Sequence, residues 1–285
     1  MTQALRYLRP RTVEEAAAAI LAGAKPLAGG TVLGPGAAGE GSAAGLAVAV
    51  AVAVAVADLA LLEPLRELRL DEGAAWIGAL VSVACLEGSA PLGPDHAALR
   101  SAAASIGNPH VRRAATVGGN LALRVPSASL PPALLVLDAE ALLFGPAGPS
   151  ACSVEVLLGA GLPSGALITA VRVPVVAGRR SACVKYAGRH ASGRAIASVA
   201  ASVRIEGGAA VEPRVAVSGL CRAARLRGVE RLLAGRPLDA AAIEAAARAA
   251  AREAPFEDVD FAPGEEQRRR LVAEGVRRVL GEVRA

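Results

Sequence analysis

Two glycine-rich stretches are the part of this sequence best suited to hold a charged ligand. They are AGGTVLGP (Ala28–Pro35) and ATVGGNLAL (Ala115–Leu123). Paired glycines at the end of a strand let backbone N–H groups approach an anion closely, because no Cβ intervenes. Thr31 and Thr116 stand beside the pairs, and each can donate its hydroxyl hydrogen to a phosphate oxygen. Two such turns would hold the two phosphates of a dinucleotide from opposite sides.

Taken alone, each stretch is better explained as a tight turn that binds nothing, because most glycine pairs are only turns. Neither is followed by the Gly-Lys-Ser/Thr of a P-loop, and neither has the GxGxxG spacing of a Rossmann dinucleotide site. The spacing of these residues therefore leaves the phosphate-binding and the purely structural interpretations open.

Composition narrows the function classes. The chain has 285 residues, of which 53% are hydrophobic and only 2% aromatic. This length favours two or more domains, with cores built from Ala, Val and Leu. The net charge of +5 suits an anionic cofactor or an acidic partner subunit, or serves solubility alone. Nucleic-acid binding is disfavoured, because there are too few aromatic residues to stack on bases.

The cysteines and the apolar runs bear on where the protein works. Cys85, Cys152, Cys183 and Cys221 form no CxxC pair, so we expect buried structural thiols, with no metal site and no disulfide framework. The apolar run Leu46–Ala57 is too short to span a bilayer. No signal peptide is evident at the start of the sequence. We therefore expect a cytoplasmic protein without a membrane span.

The elements that must position the glycine stretches follow from periodicity and capping signals. Thr12–Gly23 is predicted as a helix with a capping box formed by Thr12 and Glu15. Alternating valines predict a strand over Val48–Val56. The remaining predictions in this half are a hairpin in LRLDEGAAWIGAL, helices in VACLEGSA and His96–Gly107, a strand in PPALLVLDAEALLFG through Asp138, and a strand in ALITAVRVP that ends at Pro174.

The second half begins after a predicted boundary at Val175–Cys183. Two strands, ASVAASVRIEG and EPRVAVSGLC, precede two helices. The first helix starts at Asp239, and Leu238 and Ile243 are spaced as a hydrophobic staple. The last helix carries four valines on one face, namely Val272, Val276, Val279 and Val283. Strands followed by helices indicate an α+β layer.

In this order and with their flanks, the segments resemble the FAD-binding (medium) subunit of the molybdenum hydroxylases, the family of the carbon monoxide dehydrogenase medium subunit and the xanthine dehydrogenase flavin domain. The resemblance covers nearly the whole chain, and IGNPHVRRAATVGGNLAL is its most diagnostic part. It implies an α/β plus α+β fold. Residues 1–176 would form a two-subdomain FAD-binding domain of the PCMH or molybdopterin dehydrogenase type, with subdomains of about 1–57 and 58–176. Residues 177–285 would form a C-terminal α+β domain of the CO dehydrogenase flavoprotein type.

The resemblance also implies which residues bind FAD. The first contact would be made by Pro26, Leu27, Ala28, Gly29, Gly30, Thr31, Val32 and Leu33. The second would be made by Ile106, Gly107, Val111, Ala115, Thr116, Gly118, Gly119, Asn120 and Leu121. Lys185 matches a family lysine near the flavin ring, and Leu167 or Ile168 matches an apolar residue that packs there. On spacing alone, Lys185 is better explained as an exposed strand lysine.

In this family the flavin receives electrons from iron–sulfur clusters of a partner and passes them to quinone, oxygen or a nicotinamide. The resemblance implies a molybdopterin-binding large subunit and a 2Fe-2S small subunit as partners, and a homo-oligomer is also consistent with the sequence. No catalytic acid or base is required from this subunit, because the cofactor carries the chemistry. His96, His110 and His190 are therefore interpreted as ordinary polar residues, and no metal site is expected.

Several positions depart from the family pattern. The resemblance also places Val125 and Ser129 among the FAD-binding residues, the latter where the family has an Asp beside the flavin ring. Where the family carries acidic or small polar residues after the GGN turn, this sequence thus has Val and Ser, and a further Asp is replaced by Arg194. A serine can hydrogen-bond to a flavin but supplies no charge, and valine does neither. A second hypothesis follows: a flavin-weakened or flavin-free homologue whose cleft binds another ligand and does non-redox chemistry in a specialised pathway. A purely structural adaptor for partner subunits is a third.

Overall fold

Three β-sheets, each built from a different part of the chain, form the frame of the fold. The structure is a computed structural model that describes residues 6–31, 55–71, 73–89, 92–188, 193–257 and 263–284. The strands are β1 (Arg6–Leu8), β2 (Lys25–Leu27), β3 (Ala55–Asp58), β4 (Leu68–Asp71), β5 (Ala74–Gly78), β6 (Glu140–Gly145), β7 (Gly148–Ser153), β8 (Leu167–Pro174), β9 (Arg180–Ala187), β10 (Ala195–Glu206), β11 (Ala209–Ser218) and β12 (Ala224–Arg225).

The first sheet is parallel, in the order β1-β3-β2, and helix α1 (Val13–Leu21) connects β1 to β2. The Glu15 N–H donates to the Thr12 hydroxyl oxygen at 3.2 Å, and the Glu15 carboxylate accepts from the Arg11 N–H at 2.7 Å. The predicted helix and its cap are thus confirmed. Most of the valine-alternating strand, residues 48–54, lies outside the described residues, and β3 contains its last residues.

The second sheet is antiparallel, in the order β4-β5-β8-β6-β7, and contains the predicted β4–β5 hairpin. Six helices are associated with it: α2 (Val83–Glu87), α3 (Ala97–Ala104), α4 (Pro109–Ala114), α5 (Val117–Ala122), α6 (Leu130–Val136) and α7 (Val154–Ala160). Residues from several of these helices and from the sheet share one buried apolar cluster. That cluster is the largest core of the fold.

Residues 130–136 form helix α6, and the prediction of a strand there was wrong. Pro131 and Pro132 lie in the first turn of the helix, where a missing amide hydrogen costs nothing. All seven residues of α6 are buried, so its sequence is apolar on every face. An apolar run of this length has no period that distinguishes a buried helix from a buried strand. The strand begins only at Glu140, after Asp138 ends the helix with a φ of +52°.

The third sheet is antiparallel, in the order β12-β11-β10-β9. Helices α8 (Arg227–Leu233), α9 (Ala240–Glu253) and α10 (Glu265–Arg284) follow it, and the four valines of α10 are buried as predicted. The Asp239 carboxylate caps α9 by accepting from the Ala242 N–H at 2.8 Å. Ala200 and Ala216 of this sheet belong to the main core of the second sheet. The second and third sheets are therefore joined by continuous apolar packing.

The cysteine prediction holds only in part. Cys221 is buried, Cys152 and Cys183 are half-buried, and all four thiols are free. Burial raises the pKa of Cys183 and of Cys221 to about 12, so both are protonated at neutral pH. Cys85 is exposed, and the expectation of a buried thiol was wrong there because it lies on the solvent side of the short helix α2.

A buried histidine lies where the second and third sheets join. His96 precedes α3 and is only 1% exposed. The Asp95 carboxylate is 3.0 Å from His96 Nδ1, yet within the described residues neither ring nitrogen makes a hydrogen bond of good geometry. Burial lowers the pKa of His96; Arg179 acts in the same direction and Asp95 opposes it. His96 is therefore neutral in the folded protein near pH 7.

Because the pKa of His96 is lowered by folding, we expect stability to fall as the pH drops below about 6.5, the value for an unfolded histidine. In that range the unfolded chain binds a proton that the folded protein does not, at a cost of up to about 1.4 kcal/mol per pH unit. Urea unfolding between pH 5 and pH 8 measures this slope. His96→Leu should flatten it, whereas the exposed His110→Gln should not. An unchanged slope in His96→Leu would contradict the assignment.

Candidate functional site

The first glycine stretch follows β2 and leaves three backbone N–H groups without a partner. Within the described part of the chain, no acceptor is bound by the N–H of Gly29, Gly30 or Thr31. Gly29 and Gly30 are half-buried and Thr31 is exposed, so these groups are accessible to a ligand. Gly30 has a φ of +66°, which favours glycine. Val32 and Leu33, also predicted here, lie outside the described residues.

The two glycine stretches meet in the structure. A Cβ added to Gly29 would lie 1.7 Å from the carbonyl oxygen of Ala114 and 3.2 Å from the Cα of Ala115. Gly29 is therefore in direct backbone contact with the residues that lead into the second stretch. This contact places the two stretches side by side, and their service of one site stays a prediction.

The second stretch is a helix N-terminus that uses its own N–H groups. Val117 donates to Val81 O at 3.0 Å, and Gly118 donates to Ala79 O at 2.9 Å. The Gly119 N–H donates to the Thr116 hydroxyl at 3.2 Å, and Asn120 donates to Thr116 O at 2.9 Å. Thr116 is buried and caps α5. In this conformation the backbone N–H groups of residues 117–120 are used within the protein. A ligand could still contact the half-buried surfaces of Gly119 and Asn120.

Gly118 has a packing role of its own. A Cβ there would lie 2.7 Å from the Ala79 side chain and 3.0 Å from its carbonyl oxygen. The Asn120 side-chain oxygen accepts from the Leu130 N–H at 3.2 Å, which joins α5 to the start of α6. Leu121 is buried in the main core. These three predicted residues hold the second stretch in place.

Two cations hold the carbonyl groups that end helix α3. Lys185 Nζ donates to Ser105 O at 2.9 Å, and Arg112 donates to Ile106 O and Gly107 O at 3.2 Å each. Positive charge at a helix C-terminus is favourable. Lys185 is half-buried and burial lowers its pKa, so it is not the exposed strand lysine that its spacing favoured. It links the third sheet to the loop before α4.

The remaining predicted residues range from buried to exposed. Leu167 and Ile168 are both buried; Leu167 packs in a small core beside Ala28, and Ile168 in the main core. Gly107 has a φ of +46° and contacts Val111. Val125 is half-buried and Ser129 is 3% exposed. His190 lies outside the described residues.

Sequence reasoning missed Arg124, which lies between the second stretch and Ser129. It has a φ of +48°, and its guanidinium binds the carbonyl groups of Leu158 and Gly159 at the end of α7. No local signal marks such a residue, because its partners are more than thirty positions away.

These observations test whether a dinucleotide fits. Unpaired, accessible N–H groups on a glycine turn are what a phosphate oxygen requires, and Gly29, Gly30 and Thr31 supply them. The first stretch therefore fits the diphosphate of a dinucleotide.

The described residues contain no group of three or more His, Cys, Asp or Glu side chains arranged to hold a metal ion. Among the described helices, none combines the length and apolar composition needed to cross a bilayer.

Family models match almost the whole chain. One described as the FAD binding domain in molybdopterin dehydrogenase matches residues 3–176. A second, described as the CO dehydrogenase flavoprotein C-terminal domain, matches residues 182–283. The comparison with curated proteins gives no match.

Solved structures with the same fold cover the chain from end to end. Reconstituted CO dehydrogenase from Oligotropha carboxidovorans is 25% identical with a TM-score of 0.86, covering 100% of this chain and 99% of that chain. Carbon monoxide dehydrogenase from Hydrogenophaga pseudoflava is 25% identical with a TM-score of 0.88, covering 99% and 98%. Quinoline 2-oxidoreductase from Pseudomonas putida 86, at 22% identity and a TM-score of 0.85, covers 99% and 97% and shows likeness of fold alone.

Proposed function

This chain belongs to the family of FAD-binding domains of molybdopterin dehydrogenases, and from that premise we propose that it is the FAD-binding redox subunit of a molybdenum hydroxylase complex. In that role it takes electrons from iron–sulfur clusters and passes them to an external acceptor. Bound FAD supplies the electron transfer, which the side chains of this site do not provide. The protein's task is to bind the cofactor and orient it.

The observation that carries the proposal is the set of N–H groups at Gly29, Gly30 and Thr31, which have no hydrogen-bond partner among the described residues. We assign the FAD diphosphate to these groups. Hydrogen bonds to a charged acceptor are about twice as strong as neutral ones, so they anchor the cofactor. Gly119 and Asn120, half-buried on the neighbouring helix α5, form the opposite wall. We assign the other residues of both predicted contacts to the proposed site because they hold these two walls in place.

The proposed domain bounds follow the division of the chain into sheets. Residues 1–176 form the FAD-binding domain, with subdomains of about 1–57 and 58–176, and residues 177–285 form the C-terminal domain. The first two sheets lie in the former and the third sheet in the latter. The proposed partners are a molybdopterin-binding large subunit and a 2Fe-2S small subunit. A basic net charge of +5 favours association with acidic partners, and the cytoplasm is the proposed location.

One observation favours the second candidate, a homologue that binds another ligand in place of FAD. The N–H groups of Val117, Gly118, Gly119 and Asn120 are all bound within the protein, so the donors at the glycine pair of the second stretch are already taken, whereas among the described residues those of the first stretch are not. A ligand with a single anionic group would need no more than the first stretch. The absence of acidic residues at positions 125 and 129 points the same way.

Titration with FAD, FMN and riboflavin tests the proposal. We expect the purified protein to be yellow, or to bind one equivalent of added FAD, with flavin fluorescence and the visible spectrum as readouts. If the first stretch binds the diphosphate, ADP should compete and riboflavin should bind about a hundredfold more weakly than FAD.

The alternatives give different results. A colourless protein that ignores FAD overturns the proposal. The second candidate is supported if ADP displaces no ligand but the protein binds a compound with one phosphate or carboxylate. Co-purification with a molybdenum subunit without any flavin indicates a structural adaptor.

A further inference from the structure

The segment of residues 124–129 connects the second glycine stretch to helix α6. It carries Val125 and Ser129, which stand where the family resemblance implies residues that face the flavin. Its backbone turns back on itself, because the Ala128 N–H donates to Val125 O at 3.1 Å. The shape of this segment therefore determines where both side chains lie.

The third sheet holds the middle of the segment. The Gly219 N–H donates to Pro126 O at 2.7 Å, and the Ser218 hydroxyl donates to Ala128 O at 3.2 Å. Ser218 is buried, and Gly219, with a φ of +94°, could not carry a Cβ, which would lie 2.8 Å from the backbone of Ala197. These contacts involve only carbonyl groups, so they impose no choice of side chain at positions 126 and 128.

Arg124 holds the start of the segment through its side chain. Its Nε donates to Leu158 O at 3.0 Å, and its Nη2 donates to Leu158 O at 2.8 Å and to Gly159 O at 2.7 Å. These carbonyl groups end helix α7, where the helix dipole favours a cation. Gly161 leaves the space for the guanidinium: a Cβ there would lie 2.5 Å from Arg124 Nη1.

The backbone of Arg124 is in the left-handed region, with a φ of +48°. A non-glycine residue stays in that region only when its surroundings hold it there. The three hydrogen bonds to α7 are the side-chain contacts of Arg124 that oppose this strain. Without them the start of the segment loses its anchor, while Gly219 and Ser218 still hold the carbonyl groups of Pro126 and Ala128.

We propose that Arg124 is a positioning residue for the cofactor site: by binding the end of α7 it holds residues 125–129 in the conformation that receives FAD. The inference rests on the proposed function for the identity of the ligand. Arg124 acts through the segment and has no role in the chemistry.

Three variants of the full-length protein test this. Arg124→Gly removes the side-chain bonds and permits positive φ without strain, Arg124→Ala removes the bonds and keeps the strain, and Arg124→Lys keeps a cation that makes fewer bonds. We expect FAD binding to weaken about tenfold or more in Arg124→Gly and Arg124→Ala and less in Arg124→Lys. In these variants residues 125–129 must become ordered when FAD binds, which costs free energy. The visible circular dichroism of bound FAD should change in the same order. Hydrogen exchange of the ligand-free protein should be faster over residues 125–130.

Arg269→Ala is the matched control. Arg269 likewise binds carbonyl groups at a helix end, those of Ala251 and Arg252 at α9, but in the third-sheet layer and away from the segment. It should lower the melting temperature and leave FAD affinity and exchange at 125–130 unchanged. If the Arg124 variants lose only stability, like Arg269→Ala, the inference is overturned.

The test also separates failure of the inference from failure of the proposed function. If the unmodified protein binds no FAD, the proposed function fails, and exchange at residues 125–130 decides the role of Arg124. Unchanged exchange in Arg124→Gly then overturns the inference. Faster exchange there, absent in Arg269→Ala, supports Arg124 as the residue that positions the segment for whatever the site binds.

Discussion

Replacing Gly29 with alanine is expected to abolish FAD binding and to destabilise the protein. The new Cβ would lie 1.7 Å from Ala114 O and 2.6 Å from the Ala114 carbonyl carbon, both backbone atoms that cannot rotate away. The first and second glycine stretches must therefore separate by more than an ångström. A displacement of that size costs about a hundredfold or more in affinity, and overpacking of this kind costs about 3 kcal/mol of stability. FAD titration and urea unfolding measure the two effects.

Two other glycines serve as controls for Gly29→Ala. Gly159 lies in α7 with nothing within 4 Å of an added Cβ, so Gly159→Ala should be neutral or slightly stabilising. Gly30 also has room for a Cβ, whose nearest neighbour is 3.7 Å away, but its φ is +66°. Gly30→Ala should therefore cost only about 1 kcal/mol of backbone strain. Wild-type FAD affinity in Gly29→Ala would show that the two stretches need not touch for the site to form.

The sequence predicts those helices and strands of this fold that are determined by residues close together in the chain. The cap of α1 needs only Thr12 and Glu15, and the buried face of α10 needs only valines at helical spacing. The β4–β5 hairpin is likewise indicated by two short strand-like runs that lie close together in the sequence. In each case the determining residues lie within a few positions of one another, so local physical rules suffice.

Features that depend on distant contacts are the part it does not predict. Helix α6 is apolar and buried throughout, so its sequence has no period that distinguishes a helix from a strand. The second glycine stretch matches a phosphate turn in sequence, yet Val81 and Ala79 take up its N–H groups. Gly29 is recognisable as a glycine of the site, but its contact with Ala114 is not visible in the sequence. The motifs therefore predict which two stretches come together, whereas they do not predict which N–H groups are left without a partner among the described residues.

The contact between the third sheet and α6 depends on a buried ion pair. Arg225 and Glu230 have side chains only 6% and 8% exposed. The Glu230 carboxylate accepts two bonds from Arg225, both at 2.8 Å, and one from the Val215 N–H at 3.1 Å. Arg225 also donates to Asp138 at 3.2 Å, at the end of α6. Glu230 thus orients the arginine that joins the third sheet to a helix behind the cofactor site.

Glu230→Ala is expected to lower the free energy of unfolding by about 3–5 kcal/mol, because it leaves the Arg225 charge buried with one exposed partner and the Val215 N–H unpaired. For a chain of this size the melting temperature should fall by about 10 °C. Glu244→Ala breaks a pair of the same chemistry with Arg277, but those side chains are 40% and 39% exposed, so it should cost less than about 1 kcal/mol. Glu230→Ala, Arg225→Met restores an apolar pairing and should recover most of the loss, since the buried charge is removed along with its partner. Equal effects of Glu230→Ala and Glu244→Ala would show that burial of the Arg225 pair does not determine how firmly the third sheet is attached to α6.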